Sequence, residues 1–169
     1  MARIILGMAE PRWLDDDEQH AWRSYLRMAG KLSAHLNRQL QADSDLSLAD
    51  FDVLVHLTDV PERRLRVVEL ARELEWEKSR LSHHVARMER RGLVRREECE
   101  DDGRGSYIVL TPTGLAAIEA AAPGHVETVR QAVFDGLSRE QVTALGQVAD
   151  QVLARLGHAP ARVVPASAR

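Results

Sequence analysis

Cysteine occurs once in the 169 residues, and aromatic side chains supply only 4% of them. A lone thiol excludes an internal disulfide framework and agrees with a reducing compartment. That thiol, Cys99, stands between Glu98 and Glu100, whose charges disfavour the reactive thiolate, so thiol sensing is not expected. No stretch approaches the roughly 18 consecutive apolar residues of a membrane span. The opening M-A-R-I-I-L-G-M-A has too short an apolar core for a signal peptide. The chain is therefore expected in the cytoplasm, with no membrane partner. Catalytic machinery is missing as well: there is no nucleophile elbow, no glycine-rich phosphate loop and no paired carboxylates outside charge runs. Neither an enzyme nor a cofactor is expected. His20, His35, His56, His125 and His158 are scattered, with no H-x-x-x-H or C-x-x-C, so no metal site is expected either.

The chain does hold a stretch around which the rest can be ordered, from Trp76 to Leu110. A helix over Ser79 to Arg91 places Leu81, Val85 and Met88 on one apolar stripe. Its other face then carries Ser79, Ser82, His83, Ala86, Arg87 and Arg90, with hydroxyl, imidazole and guanidinium groups and no acid. Those are the donors that suit base edges and phosphate oxygens. Gly92 is placed to stop the helix in a left-handed conformation. L-V-R-R-E-E and S-Y-I-V-L read as two short strands, and Asp102-Gly103 between them is a hairpin signal. A shorter helix, Val67 to Leu74, precedes at helix-turn-helix spacing. Helix-turn-helix plus hairpin describes a winged helix, over about residues 47–111.

Charge segregates in agreement with that reading. Between Arg63 and Arg96 lie 11 lysines and arginines against 5 glutamates, a local +6 in a chain of net −3, so the remainder carries −9. A basic centre between acidic arms is the footprint of a DNA reader.

The flanks are helical. Residues 1–12 show no periodicity and are expected to form a loose arm. Asp15-Asp16-Asp17-Glu18 suits a helix N-terminus, and from there Trp22, Tyr25, Leu26, Ala29, Leu32, Leu36 and Leu40 keep helical spacing over residues 15–42. Ser47 to Asp50 is a capping box opening a helix with Phe51, Leu54, Val55 and Thr58 inward, closed by Pro61. Leu65-Arg66-Val67 reads as a short edge strand. Thr111-Pro112 opens another helix, with a kink or break expected at Pro123-Gly124. Ser138 to Gln141 caps a last helix bearing Val142, Leu145, Val148, Val152 and Leu156 and ending at Gly157. Residues 158–169 are expected to be a disordered tail. The fold class expected is mainly α with a small β-hairpin wing, a winged helix-turn-helix flanked by N- and C-terminal dimerisation helices (residues 15–42 and 112–157). Those helices hold more apolar face than the small centre can cover, which points to a two-fold dimer.

L-A-R-E-L at 70–74, S-R-L-S-H-H-V-A-R-M-E-R-R-G-L-V-R-R at 79–96 and D-G-R-G-S-Y-I-V-L-T-P-T-G at 102–114 together resemble the MarR (multiple antibiotic resistance regulator) family. The resemblance runs over roughly Trp13 to Leu156. It implies a homodimer presenting two winged helices to double-stranded DNA, usually a repressor on a pseudo-palindromic operator, released by a small-molecule effector. By position it implies that Ser79, Arg80, Ser82, His83 and Arg87 meet the major groove, Lys78 and Arg66 phosphates, and Arg104 the minor groove, with Asp102 holding Arg104. It also implies an effector pocket between dimer helices and winged helix, for which Trp22, Tyr25, His35 and His56 are candidates, each readable equally as a core or interface residue. The family's thiol-sensing branch carries its cysteine in the first helix, which has none here. His83 reads as a neutral hydrogen-bonding group and His84 as a packing residue; the alternative is a pH-sensitive pair. The alternative function is a winged-helix protein-interaction module without specific DNA binding.

Overall fold

A computed structural model describes residues 11–98 and 105–159. The chain enters its first helix, α1 (Asp16–Ser44), through a reciprocal cap: Glu18 N donates to Asp15 Oδ1 at 2.8 Å and Asp15 N donates to Glu18 Oε2 at 3.0 Å. Only Leu40, near the far end, is buried, so α1 joins the core by its C-terminal part. The second helix, α2 (Leu48–Thr58), opens on the expected Ser47–Asp50 box. Its inner face is wider than one stripe: Phe51, Val53, Leu54 and Leu57 are buried, whereas Val55 and Thr58 are half-buried. The helix meets α1 and other elements on several sides, and a helix so surrounded buries more than one stripe.

Next come β1 (Arg64–Arg66), α3 (Val67–Glu73), α4 (Lys78–Arg90), β2 (Val94–Glu98) and β3 (Ser106–Leu110). The strands form an antiparallel sheet in the order β1-β3-β2, with Leu65 and Arg96 both opposite the buried Ile108. The strand expected at 65–67 thus starts one residue earlier, and Val67 begins α3. Helix α4 ends as the glycine required: Gly92 has φ of 73°, Gly92 N donates to Glu89 O at 2.9 Å and Leu93 N to Met88 O at 3.1 Å. This is a Schellman closure, and it aims the chain straight into β2.

Helix α5 (Pro112–Val129) starts from Thr111, whose Oγ1 accepts from Gly114 N at 2.9 Å and lies 2.6 Å from Gly92 O and 2.9 Å from Leu93 O. The cap therefore also ties α5 to the end of α4. The break expected at Pro123-Gly124 does not occur, because α5 continues through both residues to Val129. Proline removes one backbone donor, and α5 is held along this stretch by packing of Ile118 and Ala121 against α1 and α2, which outweighs the loss. The irregularity falls later, as a π-helical segment at Arg130–Phe134. The last helix, α6 (Arg139–Arg155), has the expected Ser138–Gln141 cap and no buried residue.

One core joins these elements. Leu54 and Leu57 from α2, Leu70 from α3, Leu81, Val85 and Met88 from α4 and Ile108 from β3 belong to it. The described residues thus form a mainly helical winged helix-turn-helix with flanking helices. No helix among them is long and apolar enough to cross a membrane.

Candidate nucleic-acid interface

Helix α4 turns Leu81, Val85 and Met88 into the core with no exposure. That orientation leaves Lys78, Ser79, Arg80, His83 and Arg87 exposed and Ser82 half-buried. All six sequence candidates on this helix therefore share the outward side, and no carboxylate lies between Lys78 and Met88. Three further contacts fix the surface. Arg80 lies 4.2 Å above the ring of Trp76, a cation–π contact that restrains a long side chain. From β2, Arg96 donates to Ser82 O at 3.1 Å, and its backbone N–H donates to Glu89 Oε1 at 3.0 Å, which ties the wing strand to the helix. Arg66, at the end of β1, stacks 5.4 Å from the Tyr107 ring, beside Arg64 at 4.7 Å. Asp102, Arg104 and Cys99 lie outside the described residues.

Behind this surface sits a group of charges that periodicity gave no hint of. Asp50, 4% exposed, is both the third residue of the α2 cap and the acceptor for α4. Its Oδ2 receives Ser47 N at 2.9 Å and Arg91 Nη1 at 2.8 Å, and its Oδ1 lies 3.0 Å from His84 Nε2. Arg91 also donates to the Asp45 carbonyl, which joins the α1–α2 turn. Burial alone raises the Asp50 carboxyl, but His84, Ser47 and Arg91 outweigh it and hold it well below the usual carboxylate range. On the imidazole's other side, Arg87 Nη2 lies 2.8 Å from His84 Nδ1, and Trp76 meets the ring edge-on at 5.3 Å. His84 is buried, as a packing residue would be, but between a carboxylate and a guanidinium. The available signal was a pair of acids, Asp50 and Asp52, inside the mostly apolar L-A-D-F-D-V-L-V-H-L.

The effector candidates are not gathered in one place. Trp22 and Tyr25 stack at 5.8 Å on an exposed part of α1. His35 is exposed farther along α1, roughly 15–20 Å away at the helical rise. His56 is half-buried on α2, its Nδ1 2.8 Å from Asp52 O. Near the α2–α5 contact, Phe51 packs on His125 with ring centres 4.3 Å apart. Burial pushes the Asp52 carboxyl up, opposed by His56 and His125, and pushes the His125 imidazole down, opposed by Asp52. No group of three or more metal-ligating side chains is assembled among the described residues.

The paired helices α3 and α4 and the three-stranded sheet define a winged helix-turn-helix of the kind found in transcription regulators. A sequence profile of the MarR family matches residues 44–105. Sco3205, a MarR family transcriptional regulator of Streptomyces coelicolor solved in complex with DNA, is 45% identical, with a TM-score of 0.81 and 94% of each chain covered. AbsC, a MarR family transcriptional regulator of the same organism, is 40% identical with a TM-score of 0.81, covering 87% of this chain and 99% of its own. The HTH-type transcriptional repressor YetL of Bacillus subtilis is 31% identical over 107 residues, 63% of this chain, which spans 64% of that relative's length. The chain belongs to the MarR family, whose members are transcriptional regulators and not enzymes.

Proposed function

We propose that the chain is a homodimeric, sequence-specific DNA-binding repressor that reads a pseudo-palindromic operator and is released by a small-molecule ligand. The observation that carries the DNA reading is the outward side of α4, where Lys78, Ser79, Arg80, Ser82, His83 and Arg87 present donors uninterrupted by a carboxylate. The DNA complex of Sco3205 and the repressor name of YetL support it. In this reading Ser79, Arg80, Ser82, His83 and Arg87 meet base edges and nearby phosphates, Lys78 and Arg66 meet phosphates, and Arg104, oriented by Asp102, enters the minor groove.

Selection from a random duplex pool at two salt concentrations tests the proposal. A two-fold-related enriched site, with affinity falling steeply as salt rises, is expected. No enrichment and no salt dependence would turn the search to a protein-interaction module. Arg87→Ala is expected to cost about 1–3 kcal/mol on the enriched site and little on random DNA. Competition binding measures both, and an equal loss on the two would reassign Arg87 to a phosphate.

Dimerisation is argued from α6 and α1. Val148, Val152 and Leu156 are 59%, 50% and 66% exposed at helical spacing, and Trp22, Tyr25 and Leu26 stand open on α1. A second copy is the occupant that a family of two-fold DNA readers calls for. Val152→Asp is expected to shift the solution mass at micromolar concentration towards that of the monomer, as sedimentation equilibrium would record; an unchanged dimer mass would move the interface off α6. Ligand release is placed where the dimer helices meet the winged helix. Trp22, Tyr25, His35 and His56 are its proposed contacts, to be brought together only by a second protomer.

A further inference from the structure

We propose that His84 is a positioning residue for DNA recognition: its neutral Nδ1 holds Arg87 in place, so that discrimination between operator and random DNA falls when the imidazole gains a second proton. The inference rests on the DNA-binding reading above, with Arg87 as one of its contacts.

The geometry decides the tautomer. A guanidinium has donors only, so the 2.8 Å contact from Arg87 Nη2 requires Nδ1 of His84 to be the acceptor. The proton of the neutral ring is then on Nε2, which faces Asp50 Oδ1 at 3.0 Å. The other carboxylate oxygen accepts from Ser47 N and Arg91. His84 is thus a buried spacer that transmits the position of the α2 carboxylate to an exposed arginine of α4.

The charges facing the ring bear on its second proton. Asp50 of α2 favours it. Arg87 beside the ring and Arg91 on the same carboxylate oppose it, and Arg80 stands over Trp76, which packs on the ring edge. Asp45, from the α1–α2 turn, is itself engaged by Arg91. Once Nδ1 carries a proton, donor faces donor and the Arg87 contact is lost. Arg87 then has to be ordered by DNA alone, which weakens its specific contribution. The added positive charge meanwhile strengthens binding to any phosphate backbone. Discrimination should fall while random-DNA affinity rises, whereas simple loosening of the fold would lower both.

The test measures the ratio of operator to random-duplex affinity for the full chain at about pH 8 and about pH 5.5, values that bracket imidazole titration, at fixed ionic strength. The wild-type ratio is expected to drop about three- to tenfold at the lower pH, the cost of ordering one long side chain. His84→Gln should keep the ratio at both pH values, since its amide can face Asp50 and its carbonyl can accept from Arg87 without taking a proton. Arg87→Ala should show a low ratio throughout. His83 is present in both wild type and His84→Gln, so the comparison between them isolates His84. The same pH dependence in wild type and His84→Gln would overturn the proposal while leaving the DNA reading intact. Absence of any operator preference at the higher pH would overturn both. Should His84→Gln fail to fold, imidazole nitrogen-15 spectra of the wild type decide: protonated Nε2 with bare Nδ1 is expected, and a proton on Nδ1 in the neutral ring would overturn the assignment.

Discussion

Gly114→Ala is expected to destabilise the chain by about 3–4 kcal/mol, combining overpacking against backbone with loss of a helix cap. A Cβ at this position would lie 2.0 Å from the Leu93 carbonyl oxygen, 2.9 Å from its carbon and 3.0 Å from Leu110 Cδ1. A flexible side chain could turn away from such an approach, but a carbonyl between α4 and β2 cannot. Relief would require α5 to lift, which breaks the Thr111 contacts to Gly92 and Leu93 and the bond from Gly114 N. For a domain of this size the loss corresponds to a fall in melting temperature of about 8–14 °C. Thermal unfolding followed by far-ultraviolet circular dichroism would register it. A variant melting within a degree of wild type would mean that α5 does not rest on the end of α4 as described.

Asp50→Asn is the second large effect, with an expected loss of about 3 kcal/mol at neutral pH, in the range for removing one partner of a buried ion pair. The Arg91 side chain is 37% exposed, so its share is discounted for solvent screening. Most of the loss is assigned to His84 and to the Ser47 cap, where a neutral amide replaces a carboxylate. The sign of the pH dependence follows from the direction of the shift. Because the folded carboxyl sits below its unfolded value, its stabilisation is fully present above the ordinary aspartate range and is lost progressively as pH falls below that range towards the depressed folded value. The gap between wild type and Asp50→Asn should therefore be present at neutral pH and narrow below about pH 4. Urea midpoints at neutral and acid pH would show this. A gap that persists undiminished in acid would place the effect in shape and not in charge.

These two residues show what can and cannot be read from sequence. The stripe Leu81, Val85, Met88 and the stop at Gly92 are local: helical period and a left-handed turn determine both, and the structure has them where the pattern put them. The same holds for the caps at Asp15, Ser47, Thr111 and Ser138. The α4 candidates follow from the stripe, since burying one face leaves the other outside. Asp50 fulfils its local role in the Ser47 cap as well, but its bond to Arg91 spans 41 residues of chain, and no short-range pattern carries that pairing. At Pro123 the expected break does not occur for a related reason, because the rule is local and the packing that overrides it is tertiary. Gly114 is intermediate: glycine two residues after a helix-opening proline stands out, but only the approach of Leu93 says why a side chain is excluded.

Helix α1 has a mechanical consequence. Its packing is confined to the C-terminal part, where Leu32, Leu36 and Asn37 are half-buried and Leu40 is buried; Leu40 lies about 36 Å from the first turn at the helical rise. A rod gripped at one end is a lever, and a tilt of about 5° at the grip displaces the other end by about 3 Å over that length. One step along a DNA strand is about 3.4 Å. If two chains clasp at those outer ends, a few degrees at Leu40 amount to a change of phase between their reading helices of about one base pair, enough to move a matched pair of half-sites out of register.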